Sequence, residues 1–455
     1  MTQQLVASGI PGLAAADVTA VSARRNEPDW LAALRREAWR LYESLELPDP
    51  GDEEWRRTNV REIRFPPARA LSASAPVAGR EQLPASVRAA WDDEPSAARL
   101  VQQDSDVVYA RVADELRARG VVICDLHTAA VEHEAIVREH LLTLVPAGEW
   151  KFLALNAALW SGGAFVYVPR GVEATLPVQL LTAVGAQGLA VFPRALVVAE
   201  RESRLVLIDE SVSPGAGFVS GAVELFLGDG ATVEYYDINR WDADVYNFKT
   251  TRATLGRDAT LTFLAAGIGS KLTKQRIDVE MPASGARAQL LGVIFGDGQQ
   301  HFDYNTRQEH TGDHTVSDLQ FKSALTDSAS LVWYGVTRIN PTASAAEANQ
   351  TSRNLLLSEH AKAAPIPILE IEARDVAKCS HGATAGPVEE GELFYLESRG
   401  IPHDVAERML VEGFFADVID RIPNPGLRNR VLDAVLAKAG GVAGALTWDE
   451  VLAAK

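Results

Sequence analysis

The chain has 455 residues, 47% of them hydrophobic and 23% charged, a balance that fits a globular protein of two or three domains with a large core. Its 44 basic and 61 acidic residues leave a formal charge of −17, which opposes nonspecific binding to nucleic acid or to anionic membranes. The two cysteines, Cys124 and Cys379, exclude a disulfide framework. Together with the lack of an N-terminal signal pattern and of any apolar run near the ~18–20 residues that span a bilayer, they predict a cytoplasmic protein.

Asn26-Glu27-Pro28 predicts a helix start, with Asn as a cap, Pro in the first turn and acids at the positive end. Leu31, Leu34, Ala38, Leu41 and Leu45 then form one apolar stripe, ended by Leu47-Pro48-Asp49-Pro50-Gly51. The pairs Arg35-Arg36 and Arg56-Arg57 stand among acids and read as a solvated helix face. Residues 68–97 are rich in Ala, Ser and Pro with weak periodicity, and read as a loose linker. A helix is expected over Asp114 to Arg119, closed by Gly120, then a short buried strand over Val121-Val122-Ile123-Cys124 in which Cys124 serves as a small hydrophobe. A further helix over 130–143 would set His133 and His140 near one face, but without the carboxylate or thiol companions of a metal site.

From about residue 150 to 372 helical periodicity gives way to short β-branched runs between tight turns. Examples are Ala164-Phe165-Val166-Tyr167-Val168, Ala195-Leu196-Val197-Val198, Leu205-Val206-Leu207-Ile208 and Val223-Glu224-Leu225-Phe226-Leu227. The run Leu227-Gly228-Asp229-Gly230-Ala231-Thr232-Val233 returns 28 residues later as Leu255-Gly256-Arg257-Asp258-Ala259-Thr260-Leu261, with fainter echoes at 283–288 and 325–331. Each copy is a turn with a small residue leading into a strand. A period in the twenties with small residues at the corners predicts a β-solenoid, whose coils bury a common core only when stacked. The expected architecture is mainly β, a parallel β-helix at 146–385 between helical regions at 1–145 and 386–455, with the helical regions capping the exposed end strands.

Gly400-Ile401-Pro402-His403-Asp404 opens a C-terminal helix whose stripe is Val405, Ala406, Met409, Leu410, Phe414, Val418 and Ile419. Pro423-Asn424-Pro425-Gly426 breaks it, Leu427, Val431, Leu432, Val435 and Leu436 form a second stripe, and Thr447-Trp448-Asp449-Glu450 has the form of a capping box.

Dinucleotide, P-loop, nucleophile-elbow and HExxH patterns are absent. Two constellations could carry chemistry. His301, His310 and His314 with Asp303 and Asp313 form the densest His/Asp group, which suits either metal binding or a polar row on a solenoid surface. In Lys378-Cys379-Ser380-His381-Gly382-Ala383-Thr384, an extended chain sets Cys379 and His381 on one face. A thiol and an imidazole make half a site for zinc or iron, and the chain does not obviously supply the other ligands.

Four runs together carry a resemblance. They are Gln350-Thr351-Ser352-Arg353-Asn354-Leu355-Leu356-Leu357-Ser358, Ile366-Pro367-Ile368-Leu369-Glu370-Ile371, Asp375-Val376-Ala377-Lys378-Cys379-Ser380-His381-Gly382-Ala383-Thr384, and Leu393-Phe394-Tyr395-Leu396-Glu397-Ser398-Arg399-Gly400-Ile401. They resemble the SufB/SufD family of iron–sulfur cluster assembly proteins, with weaker similarity at Asn156-Ala157, Tyr167-Val168-Pro169 and Trp55-Arg56-Arg57-Thr58. SufB chains typically carry several cysteines, one a cluster ligand. Here none lies between Cys124 and Cys379, and Cys-Ser-His-Gly-Ala-Thr has the SufD form. One departure is Ala377, an extra residue where many relatives run Asp-Val-Lys-Cys, and an insertion there would shift the strand register.

The resemblance implies a right-handed parallel β-helix in a complex of SufB, SufD and two copies of the ATPase SufC. It implies His381 as the SufD-side ligand, Cys379 as a neighbouring thiol, and SufB as the source of the missing ligands and of sulfur. The C-terminal region would dock SufC, with Phe394, Tyr395, Arg399, Val405, Met409, Leu410 and Phe414 as candidate contacts. ATP-driven SufC dimerisation would open the SufB interface to iron. No cofactor would stay bound to the isolated chain, only transient iron or a nascent cluster in the complex, and the role is a scaffold's, not an enzyme's. The readings kept beside it are a β-helix polysaccharide lyase or hydrolase, and a homodimeric scaffold for an ABC-type ATPase.

Overall fold

The computed structural model describes residues 9–440 apart from 92–94, 175, 186, 214 and 216. The capping box at 447–450 and the first eight residues lie outside the described residues. The N-terminal region carries α1 (Ala15–Arg25), α2 (Asp29–Ser44) and α3 (Ala85–Ala90). There follow β1 (Ala98–Gln103), β2 (Asp106–Val112), α4 (Asp114–Ala118), β3 (Val122–Asp125), α5 (Leu126–Glu132), α6 (Glu134–His140) and α7 (Lys151–Leu159).

The coils comprise β4 (Ala164–Val168), β5 (Val178–Ala183), β6 (Leu189–Val191), β7 (Arg194–Ala199), β8 (Arg204–Val212), β9 (Gly217–Leu227), β10 (Thr232–Arg240), β11 (Val245–Leu255) and β12 (Thr260–Gly267). They continue with β13 (Leu272–Met281), β14 (Arg287–Gly296), β15 (His301–His310), β16 (Val316–Leu325), β17 (Ser330–Ile339), β18 (Ala346–Leu356), β19 (Lys362–Ile371) and β20 (Val376–Pro387). The chain then forms α8 (Glu390–Ser398), α9 (His403–Ile419) and α10 (Pro425–Lys438).

The strands build a parallel β-solenoid of about eight turns. One sheet runs β2-β1-β5-β8-β10-β12-β14-β16-β18-β20 and the facing one β19-β17-β15-β13-β11-β9-β7-β4-β3. The repeat read from the sequence is the stacking register, with Thr232 beside Thr260 and Thr260 beside Arg287. The echo at 325–331 differs. It leads into β17 on the facing sheet, where Ser330 lies beside His301, because both corners of each coil use a turn followed by a small residue. At Gly228 and Gly256 the corners touch. A Cβ on Gly228 would lie 2.6 Å from Arg201 N, and one on Gly256 2.7 Å from Asp229 N, so only glycine lets the coils approach.

Three layers of apolar packing result. The interior holds Val233, Leu261, Leu290, Tyr304 and Trp333. The N-terminal region covers the outer face of the β9/β11 sheet, where Phe65, Phe152, Phe218 and Phe248 cluster. The C-terminal helices cover the other outer face, setting Val411, Phe415 and Val431 against Leu264, Leu291 and Phe295. This corrects the expectation of helical caps, because sheets with apolar residues on both faces need cover along their flanks. The N-terminal end is closed by strands instead, with β2 antiparallel to β1 and β3 antiparallel to β4.

Local readings also change. Arg35 is fully buried, not solvated: Nη2 lies 2.7 Å from Glu27 Oε1 and the guanidinium 4.2 Å from the Trp160 ring centroid. Residues 68–97 carry α3 and bury Ala70, Leu83, Val87 and Ala90, so much of the expected linker is packed. The helix expected over 130–143 is two, broken at His133. In α9 Val411 and Phe415 are buried against the solenoid and half-buried Phe414 packs beside them under Lys322, whereas Val405, Met409 and Leu410 are half-buried.

Candidate functional site

The extra residue Ala377 is absorbed before it reaches Cys379. Ala346 pairs with Val376 and Glu347 with Lys378, leaving Ala377 as a bulge, after which Cys379 pairs with Ala348 and His381 with Gln350. Along β18 the alternate residues Ala348, Gln350 and Ser352 are buried, so their partners Cys379, His381 and Ala383 point to the solenoid's inner face. The inner stack through this position runs Phe263, Leu290, Leu319, Gln350, His381, turning from apolar to polar at the last coil. No further coil of the described residues follows β20, and His381 is exposed although it faces inward.

The two candidate ligands therefore differ. Cys379 is half-buried against Ile339, Ala343, Ala346 and Ala348, and burial pushes its thiol above the ordinary value. The thiolate is the form that binds metal, so Cys379 would have to lose its proton against that environment. A groove of about 230 Å³ runs along this edge, lined by Asn349, Thr351, Ser352 and Arg353 of β18 and by residues 380–384 of β20, His381 among them. Gln350, its inner neighbour, donates Nε2–H to Ile368 O at 2.9 Å, and its Oε1 is buried without a partner. Among the described residues no group of three or more His, Cys, Asp and Glu is disposed to hold a metal ion.

The second constellation is not brought together. His301 and His310 occupy opposite ends of β15, about 30 Å apart at the ~3.3 Å rise of a strand. His301 bonds Thr58 Oγ1 and Ser330 Oγ, both at 2.8 Å, and Asp303 accepts from Lys274 Nζ at 2.8 Å, so these residues anchor the 54–58 segment to the sheet. His310 is buried, its ring nitrogens 2.8 Å from the hydroxyls of Thr315 and Ser317, and burial pushes its pKa down to about 4. His314 is exposed in a turn with φ of 54°. Cys124 packs against the N-terminal core, and burial and nearby acids push its pKa up to about 12. His133 stacks on Phe165, while the His140 ring meets Phe226 edge-on at 4.6 Å.

Of the residues expected to meet a partner, Phe394 is 71% and Tyr395 56% exposed on α8, a helix with no buried residue. The Arg399 guanidinium lies over the Tyr395 ring at 5.2 Å and donates to its hydroxyl at 3.1 Å. Sequence reasoning missed a row of polar residues beside the candidate ligands. Ser380 Oγ donates to Asn349 Oδ1 at 2.9 Å, and Asn349 Nδ2 donates to Asp318 Oδ1 at 2.8 Å. The coil period of 31 residues between Asp318, Asn349 and Ser380 was the signal that would have found it.

The sequence also matches known families. The family model for the SUF system FeS cluster assembly SufBD core domain matches residues 182–414, and that for the SufBD protein N-terminal region matches 92–180. The chain belongs to the SufBD family. It is 31% identical over 423 residues to the iron-sulfur cluster assembly protein SufD of Bacillus subtilis, covering 92% of this chain and 96% of that one. It is 28% identical to SufB of the same organism, with 90% of each chain covered, and 27% identical to a SufBD family protein of Staphylococcus epidermidis, again with 90% of each covered. This SufBD protein has, among its described residues, no helix long and apolar enough to cross a membrane.

Proposed function

We propose that the chain is the SufD-like subunit of a cytoplasmic scaffold on which iron–sulfur clusters are assembled, and that it is not itself an enzyme. The observation that carries this reading is the position of His381, exposed on the inner face of a terminal coil with a free strand edge, beside a single half-buried thiol. One imidazole and one protonated thiol are too few ligands for stable metal binding. The same pair facing a second subunit with its own thiolate completes a site. SufB is that subunit in this reading, supplying the remaining ligands and the sulfur. Iron and the nascent cluster are cargo, held in the complex and not by the isolated chain, which pairs with itself through the same edge.

The ATPase SufC docks on α8 and the open side of α9. Phe394, Tyr395 and Arg399 give the exposed contacts, and Val405, Met409, Leu410 and Phe414 the half-buried rim. ATP-driven pairing of two SufC copies strains the attached subunits and opens the SufB interface to iron. The lyase reading would need free acids in the groove on the facing sheet, where three arginines stand among the acids and Glu149 and Asp278 are tied to Arg252 at 2.6 and 2.7 Å.

The test is His381→Ala in a reconstituted complex. Iron and sulfide content should fall several-fold while the complex stays assembled, and unchanged content would remove His381 from the site. Deleting residues 390–455 should abolish SufC capture.

A further inference from the structure

Asp318, Asn349 and Ser380 are register partners on the outer face of three successive strands, β16, β18 and β20. Their side chains form one unbroken line. Arg421, just beyond α9, donates Nη1–H to Asp318 Oδ2 at 2.7 Å; the other Asp318 oxygen accepts from Asn349 Nδ2 at 2.8 Å; and Asn349 Oδ1 accepts from Ser380 at 2.9 Å. Ser380 stands between Cys379 and His381, and its side chain points out where theirs point in. The line thus begins at the helical region and ends on the backbone that aims both candidate ligands.

Among the described residues β20 is an edge strand whose one neighbour in its sheet is β18, and side-chain clamps across that pair add to its backbone ladder. The other clamp is Asn354 Nδ2 donating to Thr384 O at 2.8 Å, which starts inside the solenoid and does not reach the helices. Near the first clamp the helix is itself tied to the same strand, Gln320 Nε2 donating to Asp417 at 2.8 Å and Lys322 pairing with Asp417. A shift of α9 against β16 therefore pulls on Asp318, and through Asn349 on Ser380.

We propose that Arg421, Asp318, Asn349 and Ser380 are positioning residues that couple the C-terminal helices to the aim of His381 and Cys379. This rests on the proposed function of that pair. The line also has a property that isolates it. Exchanging its end charges, Asp318→Arg with Arg421→Asp, leaves every member satisfiable. Asn349 turns its amide over, accepts from the guanidinium introduced at position 318 and donates to the Ser380 hydroxyl, which accepts as well as it donates.

The experiment uses the full chain. Amide hydrogen exchange over 376–387 and the rate of Cys379 alkylation by iodoacetamide, both resolved by mass spectrometry, are compared among wild type, D318R, R421D and the double variant. Each single change should raise both rates about 3- to 10-fold, and the double variant should return to within about 2-fold of wild type. Iron and sulfide loading in the reconstituted complex should follow the same order.

Single variants with unchanged rates, or a double variant no better than the singles, would overturn the coupling whatever the loading does. Rates that follow the line while loading ignores it, in a complex where His381→Ala does lose cluster, would overturn the positioning role. Loss of the His381 reading alone would show as unchanged loading in His381→Ala, with the rates still deciding the line.

Discussion

Among the described residues the N-terminal end of the solenoid is finished by its own chain, and the C-terminal end is not. In β1 four of six residues are buried, and β2 and β3 turn antiparallel to end the two sheets. In β20 no residue is buried, and Ile371 at the end of β19 is 47% exposed. Apolar area left in water is unfavourable by about 25 cal/mol per Å², so a chain long enough to cover one end could cover the other. The uncovered end is the one that carries His381. The contrast separates a part of the molecule whose residues serve stability from a part that, in the proposed function, meets a partner, and substitutions should sort accordingly.

The largest loss should come from the covered flank. Phe152 is fully buried and meets Phe65, Phe218 and Phe248 at ring distances of 5.6, 5.2 and 4.7 Å. Phe152→Ala should cost about 3–5 kcal/mol in urea unfolding, because it leaves a cavity into which close-packed rings cannot collapse. A loss under about 1 kcal/mol would mean that this flank is no better packed than the open end.

A smaller and pH-dependent effect is expected in the middle coils. Burial holds His310 near 4, below its ordinary 6.5, so the neutral ring is the native form. Its contribution is whole above pH 6.5 and is lost as pH falls through 6.5 toward 4. At pH 5 the loss should be about 2 kcal/mol, one proton taken up on unfolding. His310→Gln should be less sensitive than wild type by that amount between pH 7 and 5; equal sensitivity would show that His310 is protonated in the fold.

The fold was legible because the coil corners demand small residues, and those recur with the coil period at Gly228-Asp229-Gly230 and Gly256-Arg257-Asp258. The copy at 325–331 was not assignable, since both corners of a coil make the same demand and the sequence carries no mark of which sheet follows. The pair Cys379 and His381 was legible from a spacing of two, which any strand turns into a shared face. His301 and His310 misled because nine residues is close in sequence and about 30 Å along a strand. Arg35 misled because its neighbours are charged, while its partner Glu27 stands eight positions away. The line from Arg421 to Ser380 spans four segments: the stacking register aligns Asp318, Asn349 and Ser380, and the packing of the C-terminal helices on β16 brings in Arg421.

The smallest effect on stability should accompany the largest on assembly. Ala383 faces inward on β20 beside Ser352, two residues past His381, and is exposed. Ala383→Lys puts a charge where a neighbouring strand would have to bury it, the device by which natural edge strands refuse partners. Because Ala383 is exposed among the described residues, unfolding free energy should move by no more than about 0.5 kcal/mol. Pairing with SufB, read by size-exclusion chromatography of the coexpressed chains, should be lost. Loss of both would mean that the open end is packed within this chain after all. Retention of both would move the interface away from β20, and His381 would then face solvent with no second subunit to complete its site.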